Sequence, residues 1–258
     1  MEWFTRTMFR VVAAFLVFFS LGDGRSLKLP PYMVPCSRND PGINDCALKH
    51  GKDAISRLVQ GDKKYRIPVL EPLVIQSVRV DGGQELAGSF ITLDDMSISG
   101  LSRANLENIK IDLEKNQIDW ELSVPRIEIQ CKYTVKGRVL ILPIEGNGNG
   151  NITLTNVSLL YSFDFKQEKN SAGQEFLRIQ GSRLNFDTSR AYIRLDNLFN
   201  GDKFLGNSMN RFLDENWREV VKDVGPYIAD AIGQAIKQII SSIANLVPYD
   251  NIFPNNSV

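Results

Sequence analysis

Alternation of apolar and polar residues dominates the middle of the chain. Ile127, Ile129, Cys131, Tyr133 and Val135 alternate with Glu128, Gln130, Lys132, Thr134 and Lys136, which describes a strand with one dry face and one wet face. Ile118, Trp120, Leu122 and Val124 repeat the pattern until Pro125, and Val74, Gln76, Val78 and Val80 share one face of another strand. Across residues 151–165 the inward set begins with Ile152 and Leu154, then resumes one residue out of phase at Val157, Leu159, Tyr161, Phe163 and Phe165. Such a slip predicts a β-bulge. Shorter runs at 176–179, 184–186 and 191–195 complete a strand-rich region from residue 67 to about 195. The GNGNG segment at 146–150 has no helix behind it to complete a phosphate-cradling loop, so a hairpin turn is expected there.

From Asp202 the period lengthens. Leu205, Met209, Phe212, Leu213, Val220, Val224, Ile228, Ile232, Ile236, Ile239, Ile243 and Val247 recur at spacings of three and four, the mark of a helix with a broad apolar stripe. Asp202 is the expected cap and Pro248 the expected stop, while Gly225 and Pro226 should kink or split the helix. Unbroken, it would span on the order of 60 Å. A shorter helix, capped by Asn44 or Asp45 and running to Gln60, carries Leu48, Ile55, Leu58 and Val59 on one face. The long stripe can be buried only on the dry face of the strands. The expected fold class is therefore α+β: one long C-terminal helix wrapped by a strongly curved antiparallel sheet, with room for a tunnel where the layers do not interdigitate.

The N-terminus adds a compartment. Arg6 and Arg10 precede a short apolar run that ends in small residues at Ser20, Gly22 and Gly24, the order of a secretory signal peptide. Residues 1–24 are expected to be removed, leaving 25–258 as a single domain in an extracellular fluid. An uncleaved anchor is the alternative, but the run is about half the ~20 residues a membrane span needs. In an oxidising compartment Cys36 and Cys46, ten residues apart, read as a disulfide, with ligation of a metal together with His50 as the alternative. Cys131, on the dry face of its strand, reads as a small buried hydrophobe, either free or paired between molecules. Asn151, Asn156 and Asn255 begin Asn-x-Ser/Thr sequons, and the alternation lets the first two face outward.

Charge and composition then narrow the chemistry. Thirty Lys and Arg balance thirty Asp and Glu, so the chain lacks the basic field that nucleic acid requires. One His among 258 residues and no GxSxG segment leave little with which to build a hydrolase. Neither a cofactor, a metal nor stable insertion in a membrane is expected.

Several segments carry a family resemblance: the cysteine pair leading into CALKHGKDAISRL, then IPVLEPL, then YTVKGRVLILPIEGNGNGNITLTNV, then LFNGDKFLGNSMNRFLDENWREVVKDVGPYI and VPYDNIFP. Together they resemble the insect takeout and juvenile hormone-binding protein family over nearly the whole chain after the leader. The resemblance implies a tubular lipid-binding fold akin to bactericidal permeability-increasing protein, and a secreted, non-catalytic carrier of a small hydrophobic ligand such as a juvenile hormone-like isoprenoid or a fatty acid. It further implies a disulfide between Cys36 and Cys46 and links to feeding, circadian and chemosensory physiology. The absence of a second cysteine pair brings the chain nearer to the takeout branch. Ligand-lining candidates are Ile129, Tyr133, Leu159 and Tyr161 from strands and Met209, Phe212 and Leu213 from the helix. The Tyr133 hydroxyl is expected to bond either a ligand oxygen or the backbone of the core. Trp217 is expected to anchor packing. The competing reading is a secreted interaction protein whose interior is filled, and the receptor is left unnamed.

Overall fold

The computed structural model describes residues 26–81 and 90–256, so the expected signal peptide at 1–24 lies outside the described residues. Helix α1 (Ile43–Leu58) precedes six strands, β1 (Leu73–Asp81), β2 (Phe90–Ser99), β3 (Asn105–Asp112), β4 (Gln117–Val139), β5 (Leu142–Lys169) and β6 (Glu175–Leu195). Helices α2 (Lys203–Glu215), α3 (Trp217–Ala244) and α4 (Tyr249–Ile252) follow. The strands form one antiparallel sheet in the order β1-β2-β4-β5-β6. β2 pairs with residues 128–136 of β4 and β3 with residues 117–123, so these two short strands lie end to end along one edge of a long one. The inner face packs on α2 and α3, as the expected architecture requires, in two adjoining apolar clusters.

A strand of 28 residues such as β5 cannot stay straight and still keep one face on a helix. In β4 the buried positions run through Ile118 and Val124 and then change parity to Ile127, Ile129 and Cys131. β5 changes between Leu154 and Val157, and β6 between Thr188 and Ala191. These changes lie abreast. Val124 pairs with Val157 and Arg126 with Thr155, while Val157 and Thr155 pair with Thr188 and Arg190, so register is preserved across Pro125, Asn156 and Ser189. The phase slip is thus a crease shared by three strands rather than the expected bulge in one, with Asn156 at φ 49°. Pro125 does not end its strand, because its missing N–H falls where the β4–β5 pairing already lapses. A true bulge occurs in β2, where Asp95 (φ 50°) lies opposite Gln76 of β1. There β1 also changes face: Leu73 and Val78 are buried and Val74 is 60% exposed, which corrects the single face expected for Val74 to Val80.

Two further expectations are corrected. The 146–150 segment is part of β5, paired with β4, and the hairpin turn lies at Leu140 and Ile141 instead. Its glycines admit a crossing chain: a Cβ on Gly148 would stand 2.5 Å from the Asp196 carbonyl oxygen, and one on Gly146 would stand 2.9 Å from Leu198 Cα. The runs at 176–179, 184–186 and 191–195 are one continuous strand, β6.

The helical rod is divided at Asn216, not at Gly225–Pro226. Asn216 leaves helical geometry and its side-chain amide donates to the Phe212 carbonyl. Pro226 is tolerated within α3 because it and Lys222, whose carbonyl would have received its N–H, are on the wet side where water can substitute. Asp202 caps α2 as expected, accepting from the Leu205 N–H at 2.9 Å. Leu205 is 46% exposed and lies off the stripe. α3 ends at Ala244, and Pro248 instead begins α4. At the other end of the chain Gly42 occupies the cap of α1, and the expected caps Asn44 and Asp45 lie inside its first turn. Rather than capping, the Asn44 side-chain oxygen accepts from the Ile111 N–H at 2.9 Å and so ties α1 to β3.

Candidate functional site

Two apolar cavities lie along the interior. The smaller, about 120 Å³, is bounded by Ile129, Tyr133, Ile152 and Leu154 of the sheet, Leu213 of α2, and Val220, Val224 and Ile228 of α3. The larger, about 330 Å³, lies beneath α1 and is closed on the far side by Ile236, Ile240 and Ile243 of α3, with Trp120 and Phe163 at its inner end. Only the larger reaches the 300–1,000 Å³ usual for sites that enclose a small molecule.

Local sequence explains why the space is there. α1 turns Ala47, Gly51 and Ala54 toward the larger cavity, three small residues where the other walls present Ile, Phe and Trp. Gly51 also lets the helix settle on β3, since a Cβ there would stand 2.7 Å from Leu106 Cδ2. The outer wall is the segment Met33–Pro35, fastened to α1 by the Cys36–Cys46 disulfide. Because the two sulfurs are bonded to each other, ligation of a metal by both with His50 is excluded; no group of three metal-binding side chains occurs among the described residues.

Between the cavities the interior is packed. Leu159, Phe186 and Ile232 touch both core clusters. Tyr161, 1% exposed, stands beside them with its ring 5.8 Å from Trp120 and 6.0 Å from Phe163, and donates to the Gly233 carbonyl of α3 at 3.3 Å. Burial raises its phenol above the ordinary tyrosine value.

The seven ligand-lining candidates therefore separate. Ile129, Tyr133 and Leu213 border the smaller cavity; Leu159 and Tyr161 belong to the packed region between, and Met209 and Phe212 to the core around α2. None borders the larger cavity. Tyr133 presents its ring to the smaller space while its hydroxyl donates to the Asp196 carbonyl at 2.5 Å, the backbone-bonded alternative of the two expected. Burial, then the Asp196 charge, pushes its pKa up to about 12. Cys131 is buried and free, and burial raises its thiol. Trp217 packs at the head of α3, with the Arg218 guanidinium 4.6 Å from its ring centre. Asn151 and Asn156 are exposed on the outer face; Asn255 is exposed too, with its side-chain oxygen accepting from Arg38 Nε at 2.6 Å.

Residues of α1 were missed as site residues because alternation and stripe arguments pick out bulky positions. The available signal was the reverse one, small residues at four and three along one helix face: Ala47, Gly51, Ala54. No helix among the described residues is long and apolar enough to cross a membrane.

Comparison with known proteins agrees with this architecture. The model of the haemolymph juvenile hormone binding protein family matches residues 12–254. The crystal structure of Epiphyas postvittana Takeout 1 superposes with a TM-score of 0.76 at 28% identity, covering 85% of this chain and 99% of that one. The circadian clock-controlled protein daywake of Drosophila melanogaster is 26% identical, with 96% of both chains covered. A putative beta-carotene-binding protein of Schistocerca gregaria is 25% identical, covering 66% of this chain and 68% of its own.

Proposed function

We propose that this chain, which belongs to the haemolymph juvenile hormone binding protein family, is a secreted, non-catalytic carrier that encloses one small hydrophobic ligand of isoprenoid or fatty-acyl type. The observation that carries the reading is the 330 Å³ cavity beneath α1, walled almost entirely by aliphatic and aromatic side chains. Apolar burial at about 25 cal/mol per Å² supplies affinity there without charge or metal. The family match, the takeout fold and a relative named for carotene binding support the same class of cargo. Residues 1–24 serve as the export signal.

Native mass spectrometry of the purified protein after gentle extraction, with displacement of a fluorescent lipid by isoprenoids and fatty acids, tests this. A bound lipid and displacement without turnover are expected. Failure of every isoprenoid and fatty acid to displace the probe would overturn the carrier reading.

A further inference from the structure

We propose that His50 is the polar anchor of the larger cavity, and that the ligand is accordingly a chain with an oxygen acceptor at one end rather than a pure hydrocarbon. The inference rests on the carrier reading and adds an orientation: head at α1, tail toward the septum around Tyr161.

Among the described residues that line this cavity, only His50 and Trp120 carry a side-chain N–H. Their positions differ. Trp120 is at the inner end, its ring in contact with Tyr161 and Phe163. His50 is on α1, half-buried, beside the outer wall of Met33, Val34 and Pro35, where Val34 is 47% exposed. This is the side on which the cavity approaches solvent. A polar side chain placed where an apolar cavity meets the surface suits an amphipathic guest, whose tail gains by burial and whose head keeps some hydration. The His50 side chain has no hydrogen-bond partner among the described residues, so its donor is not committed to the fold as the Tyr133 and Tyr161 hydroxyls are. Imidazole presents at least one N–H in either protonation state, so the contact needs no particular charge. Carboxylate, ester, hydroxyl and epoxide oxygens share the required chemistry.

The test uses the full chain and its His50→Leu and His50→Gln variants, with dodecanoic acid, methyl dodecanoate and dodecane displacing N-phenyl-1-naphthylamine. His50→Leu should weaken an oxygen-bearing ligand about tenfold, the loss expected when a bond to a charged or strongly polar group goes, and leave dodecane within about twofold. A loss confined to the acid identifies a carboxylate head; a loss shared with the ester identifies a neutral acceptor. His50→Gln, which keeps an N–H, should retain affinity within about threefold. Unchanged affinity in His50→Leu, or an equal fall for all three ligands, overturns the anchor while leaving the carrier intact. Failure of all three, and of the isoprenoids and other fatty acids named above, to displace the probe from the unaltered protein overturns both. Thermal melts of the variants separate an affinity change from misfolding.

Discussion

The two ends of the interior are built from the same materials and differ in how well they close. Around Tyr133, strands β4 to β6 and the first half of α3 bring bulky side chains face to face and leave about 120 Å³. Under α1 the wall is a helix offering Ala47, Gly51 and Ala54, and about 330 Å³ stays open. The difference teaches that a carrier site here arises from where large residues are withheld. Close packing is the default of an apolar interior, and a void persists only where no neighbour can collapse into it. α1 is held off by three ties: the disulfide, the Asn44 bond to the β3 backbone, and contact of Gly51 with Leu106.

Several substitutions sharpen or break this contrast. Tyr161→Ala removes the largest side chain of the septum together with its bond to Gly233, and should cost about 3–5 kcal/mol in urea unfolding. Its ligand capacity should rise toward longer chains if the two cavities then join, which native mass spectrometry would report. Replacing Cys36 and Cys46 together by Ser should cost about 3 kcal/mol, the value for closing a loop of this length. It should also speed ligand release, since the outer wall of the larger cavity loses its fastening to α1; an unchanged off-rate would mean that the other two ties suffice. A matched pair discriminates the cavities directly. Ala47→Phe should lower affinity about tenfold, or ~1.4 kcal/mol, with little loss of stability. Ile129→Trp, overfilling the smaller cavity, should instead lower stability by about 1–3 kcal/mol and change affinity less than threefold. The reverse ranking would move the site to the smaller cavity.

A last test concerns Tyr133 at the smaller cavity. Its folded pKa of about 12 exceeds the value of about 10 expected for an unfolded tyrosine, so folding favours the protonated phenol. The associated stability is fully present below about pH 10 and is lost as pH rises toward about 12. An ultraviolet phenolate titration should show a late step shared with Tyr32, whose phenol burial and Asp62 also push up to about 12, and Tyr133→Phe should remove one phenol from that step.

Much of the fold was legible. The dry faces of Ile127 to Val135 and of Val157 to Phe165, the wide stripe after Asp202 and the Asp202 cap all stand as expected, because each follows from a local period or a local hydrogen bond. The errors share a cause. Pro125, the GNGNG glycines and Gly225–Pro226 are strong local punctuation, yet each lies inside an element, since a lapsed pairing, a crossing chain and a wet helix face remove the local penalty. Of the candidate site residues, Ile129, Tyr133 and Leu213 reach a cavity because facing inward is a local property. Whether the inward space is filled is not.

The sequence by itself determined the inventory: an antiparallel sheet dry on one face, a helical rod to cover it, a cysteine pair near the first helix, and an interior poor in polar groups. Only the tertiary structure decided how those parts are arranged. Three strands turn over together at Pro125, Asn156 and Ser189 so that one sheet follows both halves of the rod, and α1 spans the far end on its small-residue face. Which side chains face inward depends on each strand's own period, whereas an open volume depends on the distances between elements that are remote in sequence. That is why the small-residue face of α1 could be read from the sequence, but the open volume beneath it, with His50 at its edge, belongs to the assembled molecule.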